Sequence, residues 1–210
     1  MVFIGVQSLT SHAQQFFIEE QELENYNSFL PRVAFWLVPR QPEREIIQSL
    51  MTELADQYLA PEFIPHVTVY SCRRSSQQEE LAIMAGLAGR CPAVTLRTDK
   101  MVSTDILTRA LFTSLNPDKT LTWLREILQK ELPESSPHGF DPHLSLLYQF
   151  LSPSVRSGLA QEVSLPLQEI NFNQIWAVAI PETLHAVEDL SGWQTLLSCR
   201  LASSAITGTI

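Results

Sequence analysis

A five-residue phrase occurs twice in this 210-residue chain, as Pro65-His66-Val67-Thr68-Val69 and as Pro142-His143-Leu144-Ser145-Leu146. Each copy holds the same place in a repeated order of elements. Residues 33–38 (VAFWLV) are a β-branched and aromatic run bounded by Pro31 and Pro39, which reads as a strand. Pro42 stands where a first helical turn tolerates it, and Ile46, Ile47, Leu50, Met51, Leu54 and Tyr58 follow at helical spacing. Residues 66–71 (HVTVYS) alternate as a strand does. Residues 77–89 carry Leu81, Met84 and Leu87 on a helix ended by Gly89, and 93–98 form a further strand.

The order then restarts. Residues 110–115 (ALFTSL) read as a strand, Asn116-Pro117 as a cap and first-turn pair, and Leu121, Leu124, Ile127 and Leu128 as a helix face. Residues 143–150 are a strand, Ser152-Pro153 opens a helix with Val155, Leu159 and Val163, and 170–180 and 193–201 are strands. His66 lies 33 residues after Val33, and His143 lies 33 after Ala110. Ser75 and Ser152, where the following helices open, each lie 9 residues beyond their histidine. The chain is therefore expected to be a duplicated β-α-β-α-β protein of the α+β class. It would be bilobal, with two facing antiparallel sheets related by a pseudo-twofold axis and helices outside. Lobe one covers about 31–100 and lobe two about 105–181, within a single domain 31–210 that ends in the strand 193–201. Residues 1–30, rich in Gln and Glu, read as an N-terminal extension.

Composition narrows the function. At 45% hydrophobic and 18% charged residues the balance is globular. Cys72, Cys91 and Cys199 are scattered and odd in number, without CxxC spacing, and read as reduced thiols of a cytoplasmic protein. No run reaches the ~18 apolar residues of a membrane span. A net charge of −9 would repel a long polyanion, so a small phosphoester is a better ligand than a duplex. No GxGxxG, GxxxxGK[ST] or GxSxG is present, against dinucleotide, P-loop and α/β-hydrolase readings.

On a strand, residues i and i+2 share a face, roughly 7 Å apart. His66 thus lies beside Thr68 and His143 beside Ser145, while Val67, Val69, Leu144 and Leu146 enter the core. If the halves face each other, two imidazoles and two hydroxyls surround one small volume. Phosphodiester cleavage needs such a set: a proton leaves the attacking oxygen and another reaches the departing one. Histidine can do either near neutrality. Hydroxyls can donate to the non-bridging oxygens, and the scheme needs no metal and no cofactor.

PHVTV and PHLSL resemble the paired His-x-Thr/Ser signature of the two-histidine phosphoesterase superfamily. VAFWLVP before the first motif, and PHLSLLY over the other, bear the strongest resemblance to its cyclic phosphodiesterase branch. The resemblance spans about 33–180 and implies a bilobal fold with a central cleft. It also implies metal-independent hydrolysis of nucleoside 2',3'-cyclic phosphates to 2'-phosphates, or of ADP-ribose 1'',2''-cyclic phosphate. Carried over, His66 and His143 become the acid–base pair, and Thr68 and Ser145 bind phosphate. In the branch the second histidine is usually the water-activating base, although the duplication leaves the two nearly equivalent here. Tyr148 matches a tyrosine near the phosphate. By alternation it would face away from His143, so this match requires a bend or the end of the strand.

Other residues carry less. Phe35, Trp36, Trp123 and Trp176 read as core. Arg73, Arg74, Arg97, Lys100 and Arg109 read as solvated surface that could rim the cleft. His138 and His143 in HGFDPH fit no zinc spacing, and His12 and His185 read as surface residues. The expected protein is a monomeric cyclic phosphodiesterase with no membrane partner. A 2'-5' RNA ligase-like enzyme acting on RNA ends and a non-catalytic nucleotide-binding module are the rivals.

Overall fold

A computed structural model describes residues 31–75, 78–132, 140–184 and 186–203. The extension 1–30 and the histidines at 12, 138 and 185 lie outside them. Within them the elements follow the repeated order: β1 (Arg32–Pro39), α1 (Glu43–Tyr58), β2 (Val67–Arg73), α2 (Glu79–Ala88) and β3 (Val94–Val102), then β4 (Leu111–Asn116), α3 (Lys119–Glu131), β5 (His143–Leu147), α4 (Pro153–Glu162), β6 (Glu169–Ile180) and β7 (Gln194–Arg200). A short 3₁₀ turn, Leu107–Arg109, leads into β4, and another, Val187–Gly192, leads into β7.

The fold is α+β, built on an antiparallel seven-stranded sheet ordered β2-β1-β6-β3-β4-β5, with β7 also paired to β6. The two expected sheets are joined into one by hydrogen bonding, because β6 is long enough to pair with a strand of each. It meets β3 through Glu169–Phe172 and β1 through Phe172–Ile180. The third strand of each repeat is exchanged: β3 pairs with β4 of the second half, and β6 pairs with β1 of the first. The helices cross over as well. α1 packs on β5 and α3 on β2, so each motif strand is backed by a helix of the other half.

β1 explains the layering. Its apolar run is buried on both sides, as a central strand requires. Val33, Phe35 and Leu37 join the main core with Ile47, Met51 and Leu54 of α1 and Leu121, Leu124 and Leu128 of α3. Ala34, Trp36 and Val38 form a smaller cluster on the opposite face with Val178, flanked by Ile64, Trp176 and Trp193. Phe35 is thus core as expected, and Trp123 lies partly buried against it. Trp36 is buried too, but in the face that carries the first motif.

Some boundaries moved for local reasons. The cap of α3 is Asp118, not Asn116: its carboxylate accepts the Leu121 N–H at 2.7 Å. Asn116 stays in the β4 ladder opposite Arg97. Gly89 ends α2 in ordinary right-handed geometry, so its left-handed freedom is not used. Ser152 caps α4, accepting from Val155 N at 3.5 Å. Ser75, its counterpart by offset, accepts the Glu79 N–H at 3.0 Å and donates to the buried Glu80 at 2.7 Å. The three cysteines are unpaired, and burial pushes the Cys72 and Cys91 thiols up to about 11.

Candidate active site

The two motif strands are built alike, down to the same irregularity. In the β1–β2 ladder Phe35 faces Tyr70 but Trp36 faces Thr68, so Val69 is an extra residue. In the β4–β5 ladder Leu111 faces Leu147 but Phe112 faces Ser145, so Leu146 is the extra one. A bulge thus follows the hydroxyl residue of each motif, and such bulges re-aim the neighbouring side chains. The carbonyl of Val69 receives the Arg125 guanidinium of α3 at 3.0 Å.

Each imidazole is anchored in the same way. His66 Nδ1 lies 2.6 Å from the carbonyl of Ile64, and His143 Nδ1 lies 2.8 Å from the carbonyl of Asp141. In both cases the acceptor is two residues upstream, across a proline whose φ is fixed by its ring. A carbonyl can only accept, so Nδ1 carries the proton. Nε2 of the neutral ring is then left as a bare base.

The surroundings of the rings differ. His66 is 6% exposed and lies flat on Trp36, ring centroids 3.7 Å apart and 14° from parallel. Phe63 and Trp193 approach it edge-on, each at 6.1 Å. Burial pushes His66 down to about 4, against the Ile64 carbonyl, which favours the protonated ring; a charge on His143 lowers it further. His143 is half-buried, with Phe112 edge-on at 5.2 Å. It too is held below the ordinary histidine value, by burial first. The Asp141 carbonyl raises it, the Arg109 guanidinium lowers it, and the Asp141 carboxylate raises it.

The hydroxyls are not equivalent either. Thr68 is exposed, whereas Ser145 is 4% exposed and donates to the Thr108 carbonyl at 2.8 Å. Tyr148 lies just past β5, which ends at Leu147 instead of reaching residue 150, so strand alternation does not govern its direction. Its buried phenol shares a hydrogen bond with Ser145, and burial holds it well above the ordinary tyrosine value, as a neutral hydroxyl. The Tyr148 ring stacks on Phe63 at 3.8 Å and 4°, with Trp193 edge-on at 5.9 Å. Phe63 touches both His66 and Tyr148, so one aromatic chain joins the first motif to the second.

Phe63, Phe112 and Trp193 were not singled out from sequence. The repeat spacing sets Phe112 against Phe35, and only the strand register places it, like Trp36, opposite a motif hydroxyl. Of the rim cations, Arg109 lies beside His143, whereas Arg97 pairs with Glu169 at 3.6 Å. Trp176 is partly buried, with the Arg44 guanidinium 5.2 Å from its ring. Among the described residues no three His, Cys, Asp or Glu side chains gather as metal ligands would.

The family description "2'-5' RNA ligase superfamily" matches residues 38–175, a span holding both motifs. The chain belongs to this superfamily of two-histidine phosphoesterases. Among curated superfamily relatives, a cyclic phosphodiesterase of Arabidopsis thaliana is 24% identical over 172 residues, covering 80% of this chain and 94% of that protein. A 2',3'-cyclic-nucleotide 3'-phosphodiesterase of Phaeosphaeria nodorum is 25% identical over 186 residues, covering 78% and 87%. The crystal structure of apo E. coli LigT shares the superfamily fold, with a TM-score of 0.51 at 18% identity over 82% of this chain and 98% of that one.

Proposed function

We propose that this phosphoesterase is a metal-independent cyclic phosphodiesterase that opens small cyclic phosphodiesters, nucleoside 2',3'-cyclic phosphates or ADP-ribose 1'',2''-cyclic phosphate. The observation that carries the reading is the identical anchoring of two imidazoles, each with Nδ1 tied to a carbonyl and Nε2 left free for proton transfer. Water attacks phosphorus while one Nε2 takes its proton. The bond from phosphorus to one ribose oxygen breaks, and the other imidazole, protonated, gives its proton to that oxygen. The product is a phosphate monoester, and the two rings have exchanged protonation states. A bound phosphate anion raises the proton affinity of both rings, which supplies the acid that burial alone would disfavour. Thr68 and Tyr148 would donate to the non-bridging oxygens, where charge collects, and Ser145 would join them by turning its one O–H from the Thr108 carbonyl to the phosphate. The Phaeosphaeria relative's name specifies cleavage at the 3' oxygen, which supports a 2'-phosphate product.

The test is turnover of a panel of 2',3'-cyclic mononucleotides and ADP-ribose cyclic phosphate in EDTA, resolving 2'- from 3'-phosphate. Expected is hydrolysis to one regioisomer, undiminished by chelator. Activity that vanished with EDTA and returned with zinc or manganese would refute the mechanism. Action on RNA ends in place of mononucleotides, with affinity falling steeply as salt rises, would point to the ligase-like rival.

A further inference from the structure

The pseudo-twofold symmetry of the motifs is broken at one place by charge. In the second half the Arg109 guanidinium lies over the Phe112 ring, 4.3 Å from its centre, and forms an ion pair with the Asp141 carboxylate. Phe112 is the ring against His143, and Asp141 is the residue whose carbonyl anchors His143 Nδ1. Arg109 therefore grips both supports of this imidazole at once. In the first half this grip is missing. Ile64 stands where Asp141 does, two residues before the histidine, and Arg32, which holds the place of Arg109 when Val33 is matched to Ala110, pairs instead with Glu182 at 3.3 Å. Arg109 is partly buried, and its Nε, shut away from solvent, has no hydrogen-bond partner among the described residues. A cation held with a buried N–H unsatisfied calls for an explanation beyond stability. An ion pair as exposed as this one, with a quarter of the Arg109 side chain and 57% of that of Asp141 accessible, adds little to stability.

We propose that Arg109 is a positioning residue for His143 alone, fixing through Asp141 and Phe112 the orientation and the proton affinity of one of the two catalytic imidazoles. The planar guanidinium suits both tasks, stacking on a ring while reaching a carboxylate, which an ammonium cannot reproduce. His66 needs no such device because Trp36 lies flat on it. The inference rests on the two-histidine reading of the site, but its test can be read without substrate.

That test is an NMR titration of His143, with its ring tautomer, in wild type, Arg109→Gln, Arg109→Lys and Asp141→Asn, beside kcat and KM on a 2',3'-cyclic nucleotide. The charged groups acting on His143 are Arg109 from the 3₁₀ turn and Asp141 on its own approach. Asp99 and Lys100 of β3 are met through Ser114, which lies opposite His143. Removing the repelling cation should raise the His143 pKa, and removing the Asp141 carboxylate should lower it. Both changes should cut kcat on the order of ten- to a hundredfold with KM little altered. Arg109→Lys should restore the titration but only part of kcat. Opposite pKa shifts in a wild type inactive on the panel would uphold the positioning and remove only the proposed substrate. An unmoved His143 titration, with kcat within about twofold of wild type in both charge-removing variants, would overturn the inference.

Discussion

At the scale of the residue, the account turns on protons. His66 is buried with its pKa pushed down to about 4 from an ordinary 6.5. Above about pH 6.5 it is neutral in both folded and unfolded chains, and its contribution to stability is fully present. Between 6.5 and 4 the unfolded chain binds a proton that the fold refuses, so stability falls as pH falls, by roughly 3 kcal/mol over the interval. Urea midpoints at pH 7 and 4.5 should therefore differ more for wild type than for His66→Phe, whereas an equal acid loss would show that this ring is not held neutral. The histidines and their hydroxyl neighbours were legible because i, i+2 alternation and the repeat required no tertiary knowledge. Phe63 and Trp193 were not, since their ring contacts join segments distant in sequence. Nor could sequence settle Tyr148, whose direction depends on where β5 stops.

Elements show the same division between local and distant information. All the strands and helices within the described residues were legible from apolar periodicity and proline punctuation. Capping was less so. Asn116-Pro117 carries the signature, yet Asp118 accepts the Leu121 N–H, and both are acceptable cap residues by type. Asp118→Ala should cost about 1 kcal/mol by urea denaturation, and Asn116→Ala less; the reverse order would return the cap to Asn116. Leu144, fully buried on the core side of the second motif strand, should cost about 2–5 kcal/mol as Leu144→Ala. A loss well under 1 kcal/mol would mean that this strand is not packed as described.

For the whole molecule, the duplication was visible in the order of elements and the exchange between its halves was not. No periodicity reports that β3 will pair with β4, or that α1 will pack on β5 and α3 on β2. That reciprocity welds the halves together, and Phe63, edge-on to His66 and stacked on Tyr148, joins the two motifs. It predicts a single cooperative unfolding transition, with tryptophan fluorescence and far-ultraviolet circular dichroism coincident in urea. Two separated transitions would mean halves that fold alone.

One comparison bears on the pairing itself: turnover of a 2',3'-cyclic nucleotide in EDTA by wild type, His66→Ala, His143→Ala and the double variant. Two imidazoles serving one phosphorus act as a unit. Each single change should lower kcat on the order of 10²–10⁴, and the double variant should lose little more than the worse single one. Single variants that keep turnover within tenfold of wild type would contradict it.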